Sequence, residues 1–167
     1  MSPTGLVMNT IDVPSGGRIG LHRCPGANGH LRGDLNWLAA TPAQLMLTLI
    51  TAEELHGMGL SDFFDQAFSA GLDCHHLPIN DMHTPSAKFQ TKWALFASQA
   101  RNRLANDEVV LMHCRAGIGR AGTMAATLLV ATGVVPADAI RRVRQARPGA
   151  LETPEQENWV LSLGGHG

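Results

Sequence analysis

The sequence predicts one α/β domain in which short strands gather into a single sheet and helices pack against it. Three observations predict this class. Short apolar runs alternate along the chain with longer segments that carry helix start signals. The clearest run, Glu108–His113, passes through a Gly-rich loop directly into a helix over Gly119–Thr132. Finally, the 167 residues contain no internal repeat, low-complexity tract or charge block, and so read as a single domain over 1–167.

The elements follow in order. Residues 14–36, rich in Gly, Pro, Asn and Arg, read as turns around one short strand near Arg18–Leu21. Gln44–Ile50 is an apolar run and reads as a strand. Thr51 then serves as an N-cap with Glu53 and Glu54 in the first turn, opening a short helix that stops near Gly57 or Gly59. Cys74–Ile79 is a further strand, closed by Pro78 and a polar loop through Asp81. Thr84-Pro85 places an N-cap before a proline at the first helical position and starts a helix to about Leu104. Pro136–Ala146 reads as another helix, and Thr153-Pro154-Glu155-Gln156 has the spacing of a capping box opening the last one.

Composition narrows the function classes. A formal charge of −1, with Lys88 and Lys92 the only lysines, gives no global pull toward nucleic acid or an anionic bilayer. No tyrosine and few other aromatics leave no stacking platform for single-stranded nucleic acid. The stretch around Ala121–Val135 is apolar, but Thr and Gly break it and it is too short to span a bilayer. Met1–Ile11 lacks the charged and apolar regions of a secretory signal. Three irregularly placed cysteines make no disulfide framework and favour a reducing compartment, so a cytoplasmic location is expected.

The chemistry concentrates in His113-Cys114-Arg115-Ala116-Gly117-Ile118-Gly119-Arg120. A Gly-rich turn from strand to helix lets successive amides converge on an anion, and the helix N-terminus adds positive potential. Arg120 at the helix start can hold two phosphate oxygens with its fork. No Asp or Glu occurs from Val109 through Ala137. Such surroundings favour the thiolate, which is the attacking form of cysteine.

Three other readings compete. A buried structural cysteine beside a tight turn does not explain the conjunction of strand, thiol, glycines, arginine and helix. Gly117 to Gly122 matches a dinucleotide fingerprint, but no second strand ending in an acid follows. A sulfur-transfer loop also begins Cys-Arg, yet its cradle is one residue shorter than the five between Cys114 and Arg120. Phosphoryl transfer fits best.

His113-Cys114-x5-Arg120 resembles the signature of the cysteine-dependent protein tyrosine phosphatases, in particular the dual-specificity branch and the group similar to kinase-associated phosphatase and its bacterial relatives. His76-Leu77-Pro78-Ile79-Asn80-Asp81-x3-Pro85 resembles that group's general-acid loop, and Gly149 through Gln156 resembles its glutamine segment. The resemblance implies a three-layer fold with a central, mostly parallel sheet flanked by helices. It implies Cys114 as nucleophile and Arg120 with the amides of Arg115, Ala116, Gly117, Ile118 and Gly119 as the oxyanion cradle. It makes Asp81 the general acid, His113 a buried support of the loop, and Gln156 either a water-positioning group or the capping partner of Thr153. Asp73 and Asp107 are weaker rivals to Asp81.

No cofactor and no metal are implied. His75 and His76 alternate along a strand and so face opposite sides, which argues against a shared metal. Cys74 is expected to be an inert core thiol unless its strand neighbours that of Cys114. The implied substrate is a phosphorylated protein or peptide, with phosphotyrosine ahead of phosphoserine and phosphothreonine, acted on by a monomer without nucleic acid or membrane. The alternatives are a catalytically weak phosphoprotein-binding module and a phosphatase of non-protein esters such as phosphoinositides. Against the latter, the loop itself carries only Arg115 besides Arg120. One position departs from the family pattern: Ala121 follows the signature arginine where the family usually has Ser or Thr, so slow release of a phosphoenzyme is expected.

Overall fold

The computed structural model describes residues 1–165. Its elements run β1 (Asn9–Asp12), β2 (Arg18–His22), α1 (Leu31–Ala39), β3 (Leu45–Thr48), α2 (Ala52–Gly57), α3 (Phe63–Ser69) and β4 (Asp73–His76). They continue with α4 (Ala87–Ala105), β5 (Val109–His113), α5 (Gly119–Ala131), α6 (Pro136–Ala146) and α7 (Pro154–Ser162), closed by a short 3-10 turn.

The five strands form one sheet in the order β1-β2-β5-β3-β4. β2, β5, β3 and β4 are parallel, and only the edge strand β1 runs antiparallel. Alternation along each strand divides the core in two. Leu45, Leu47, Val110 and Met112 face a cluster that includes Phe89, Trp93 and Phe96 of α4, Leu128 and Leu129 of α5, and Ile140 and Val143 of α6. Met46, Val109 and Leu111 face the other cluster, with Leu31, Leu35 and Leu38 of α1, Leu55 of α2 and Phe63 of α3. The expected three layers are present.

Three elements lie where the sequence predicts turns or no regular structure. β1 pairs Asn9–Asp12 with Arg18–Leu21 across the turn at Gly16-Gly17. α1 occupies the end of the Gly- and Pro-rich segment. Its apolar positions Leu31, Leu35 and Leu38 follow helical spacing, but His30 makes no side-chain cap and Gly33 weakens the local signal. α3 likewise begins without a side-chain cap bond. α4 starts at Ala87 behind Ser86, three residues after Thr84. The last helix opens as expected, with a reciprocal Thr153–Gln156 capping box. Parallel strands point their carboxyl ends the same way, and there β2, β5, β3 and β4 deliver His22, His113, Thr48 and His76 side by side.

Candidate active site

Cys114 follows β5 directly, and the chain turns through Arg115–Ile118 into α5. Gly117 has φ +74°, and a Cβ there would stand 2.4 Å from the His22 carbonyl oxygen, so the loop must carry glycine at this point. Three loop carbonyls are anchored from outside. The Cys24 amide donates to Arg115 O (3.0 Å), Arg147 Nη2 to Ala116 O (2.8 Å) and the Leu151 amide to Ile118 O (3.2 Å). The amides of Arg115 to Ile118 donate to no backbone group among the described residues. Cradle amides available to an anion are the arrangement expected of such a turn.

Arg120 is the largest fully buried side chain, 1% exposed. Its fork is held bidentately by Glu54, Nη1 to Oε2 at 2.7 Å and Nη2 to Oε1 at 2.9 Å, and Nη1 also donates to Ile79 O at 2.9 Å. Asp81 Oδ1 stands 3.4 Å from Nη2. Glu54 also caps its own helix, since Oε2 accepts from the Thr51 amide at 2.9 Å and completes the capping box of α2. Burial alone would raise its pKa, but the hydrogen bonds from Arg120 and Thr51 and the Arg120 charge bring it down to about 2. Desolvation disfavours the Arg120 charge; Glu54, Cys114 and Asp81 overcome it and raise the guanidinium's pKa. Thr51-x-x-Glu54 is readable in the sequence as a helix start, but its partner 66 residues away is not.

Behind the loop lies a buried histidine pair, His22 and His113, stacked with ring centroids 5.2 Å apart. His113 Nδ1 lies 3.2 Å from Cys114 O and Nε2 lies 2.8 Å from Thr48 Oγ1. A carbonyl only accepts, so Nδ1 carries the proton and Nε2 accepts from the hydroxyl. Burial pushes the pKa of His113 well below the ordinary value, and that of His22 down to about 4. His113 is therefore neutral, and it lies buried against the first carbonyl of the loop.

Cys114, Arg120, Arg115, Ala116, Ile118 and Asp81 line one cavity of about 410 Å³, together with Arg23, Met82, Arg147 and Glu152. Cys114 and Arg120 thus share a cavity with Asp81, which lies on the β4–α4 loop. The rival acids are elsewhere. Asp107 accepts from the Gly17 amide in the turn before β5, and Asp73 pairs with His75 at 3.2 Å. Gln156 is fully buried: Oε1 accepts from the Thr153 amide, and Nε2 points to His83 O at 3.4 Å. Glu152, four residues earlier, is the member of that segment that reaches the cavity, its carboxylate lying against Gly119. Cys74 sits on β4, separated from β5 by β3, with its thiol 3.0 Å from Thr48 Oγ1, and burial raises its pKa to about 11. His75 packs on Phe96 and His76 on Phe64, on opposite faces of the sheet. No helix among the described residues is long and apolar enough to cross a membrane.

A thiol and a buried arginine on a strand–loop–helix cradle, at the carboxyl ends of parallel strands, define a cysteine-dependent phosphatase. The chain belongs to the dual-specificity family described as "PTP-SAK: Swiss Army Knife protein, DSP-PTPase phosphatase domain", which matches residues 26–160. It is 29% identical over 150 residues to the cyclin-dependent kinase inhibitor 3 of Rattus norvegicus, covering 85% of this chain and 69% of that one. The solved kinase associated phosphatase superposes with a TM-score of 0.84 at 24% identity, covering 95% of this chain and 93% of the other. Tk-PTP in its active form gives a TM-score of 0.72 at 27% identity, covering 91% and 95%.

Proposed function

We propose that the protein hydrolyses phosphotyrosine in proteins or peptides, with phosphoserine and phosphothreonine as further substrates, through a cysteinyl-phosphate. The observation that carries this reading is the convergence of Cys114, Arg120 and Asp81 on one cavity. The Cys114 thiolate attacks phosphorus, the S–P bond forms as the ester O–P bond breaks, and Asp81 gives its proton to the leaving oxygen. Arg120 and the loop amides hold the equatorial oxygens as charge shifts onto them. Asp81 then takes a proton from water as that water attacks phosphorus and the thiolate leaves. Gln156 acts from behind, tying the capping box of α7 to the His83 carbonyl of the acid loop.

Ala121 bears on the second half of the cycle. It is fully buried and brings no hydroxyl to the departing thiolate. Thr123 does not replace it, because its hydroxyl donates to Gly119 O at 2.7 Å. Release of the intermediate is therefore the slow step.

The test is turnover of an aryl phosphate and of a phosphotyrosine peptide by Cys114→Ser and Asp81→Asn. Cys114→Ser abolishes both reactions. Asp81→Asn lowers kcat on the peptide by about 10²- to 10⁴-fold, and by less on an aryl phosphate whose leaving group needs no proton. Undiminished turnover in Cys114→Ser ends the mechanism.

A further inference from the structure

β4 ends the sheet on the side away from β1, and none of its residues is buried. Along it, the amides of Asp73 and Leu77 turn inward, donating to Gln44 O at 2.6 Å and Thr48 O at 3.0 Å. Alternation along the ladder therefore turns the N–H and C=O groups of Cys74 and His76 outward. Among the described residues, these groups bond to no backbone outside the sheet. The outward run is bounded on both sides. The Leu72 amide is spent on Ala67 O at 3.1 Å, and Pro78 has no N–H to give.

α3 lies beside this edge. Phe63 and Ala67 are buried in the core, while Phe64 and Phe68, four residues apart, form a second stripe on the helix. Phe64 packs on His76 with ring centroids 4.7 Å apart. Phe68 is 83% exposed, the only exposed Phe or Trp among the described residues. It borders a hollow of about 650 Å³ whose other walls are Phe64, Gly71, Leu72, Asp73 and Cys74. An aromatic ring in water, beside an apolar hollow and an unpaired strand edge, marks an interaction surface. One patch carries both the projecting ring and the hollow, as a two-fold interface requires of each copy.

We propose that β4 pairs antiparallel with β4 of a second copy of this chain, about a two-fold axis beside His75. In that register Cys74 of one copy lies opposite His76 of the other, and each such pair exchanges two N–H···O bonds. A shift of the register by two sets these groups against Leu72 or Pro78, neither of which has an N–H to give. The Phe64–Phe68 stripes then run side by side in opposite directions. Each Phe68 leaves water at the Phe64 and His76 end of the other copy, and each hollow is covered. A foreign strand satisfies the same backbone groups but does not by itself cover Phe68, so the second copy is favoured. The two sheets become one, with a Cys114 cavity at each of its opposite ends. This departs from the monomer expected of the sequence.

Sedimentation velocity under reducing conditions, over a range of protein concentrations, tests the pairing. The small interface predicts reversible dimers with Kd on the order of 10 µM. Phe68→Asp raises that Kd at least about tenfold, as burial of a charge in an aromatic contact requires. Because Phe68 is exposed, the variant keeps the wild-type thermal midpoint in dilute solution. The register is read separately, on a Cys74→Ser, Cys114→Ser background. There His75→Cys places two thiols across the axis, with Cα atoms about 4.5 Å apart, within reach of a disulfide. Glutathione disulfide then yields a covalent dimer that dithiothreitol dissolves. Leu95→Cys, on the exposed face of α4, does not cross-link under the same conditions. A wild-type protein that stays monomeric to about 100 µM overturns the proposal. So does a dimer that Phe68→Asp leaves intact, or one in which His75→Cys cross-links no better than Leu95→Cys.

Discussion

Replacing Glu54 with glutamine removes the one carboxylate that holds both ends of the Arg120 fork. Glutamine keeps an oxygen that can accept from the Thr51 amide, so the cap of α2 survives while the charge is lost. The magnitude follows from the carboxylate's pKa of about 2. Against the unfolded value of about 4.3, and at about 1.36 kcal/mol per pH unit, the ionised form is stabilised by about 3 kcal/mol. Glu54 is partly exposed, and solvent screening reduces this to about 2 kcal/mol. For a chain of this size that corresponds to a loss of about 4–8 °C in Tm.

The sign is fixed by linkage. A carboxylate whose pKa is depressed in the folded state contributes fully above its unfolded pKa and loses that contribution as pH falls toward the folded one. The gap in Tm between wild type and Glu54→Gln is therefore constant near neutrality and narrows from about pH 4.5 toward about pH 2. Calorimetry across that range, with vanadate affinity at neutral pH as a second readout, checks both halves. A gap below about 1 °C at neutral pH, or one that does not narrow in acid, refutes the assignment of Glu54 as the clamp of Arg120.

Two further outcomes are expected. Ala121→Ser supplies the missing hydroxyl beside the thiolate and raises kcat about tenfold, as one charge-assisted hydrogen bond allows. Rapid quench with a fast-leaving aryl phosphate shows a burst in the wild type that shrinks in this variant, and a wild type without a burst contradicts slow release. His22 and His113 are held neutral by burial, so the unfolded chain takes up protons that the fold refuses. Stability therefore falls as pH drops from about 6.5 to about 4. His22→Gln flattens that slope by up to about 1.4 kcal/mol per pH unit, read from urea midpoints at several pH values; an unchanged slope excludes His22 as a contributor.

The parts of the site legible in the sequence are those carried by contiguous residues. Cys114 to Arg120 declares itself because one loop holds both the thiol and the guanidinium. The β5–α5 junction declares itself because an apolar run meets glycines there. Pro136 and the Thr153–Gln156 box likewise announce their helices. Residues that act across the fold leave weaker traces or none. Glu54 is visible only as an acid in the first turn of a capped helix, since nothing local names Arg120 as its partner. Arg23 lies in a stretch that reads as turns, and Arg147 stands out only as the end of a basic helix. α1 and α3 escape because neither opens on a side-chain cap, and their packing against the sheet decides their state where local propensity does not.

The three anchored carbonyls of the phosphate loop have a consequence for the reaction's energetics. Cys24, Arg147 and Leu151 belong to segments outside the loop, and each turns one of its peptide units by holding the oxygen outward. A peptide plane is rigid, so an oxygen held outward aims the N–H on the same plane inward. In the proposed reaction the dipoles facing the phosphoryl group are therefore oriented when the domain folds, before any substrate arrives. Little reorganisation remains for the moment of reaction. The loop behaves as a junction of four chain segments, and its polarity is a property of the folded domain as a whole.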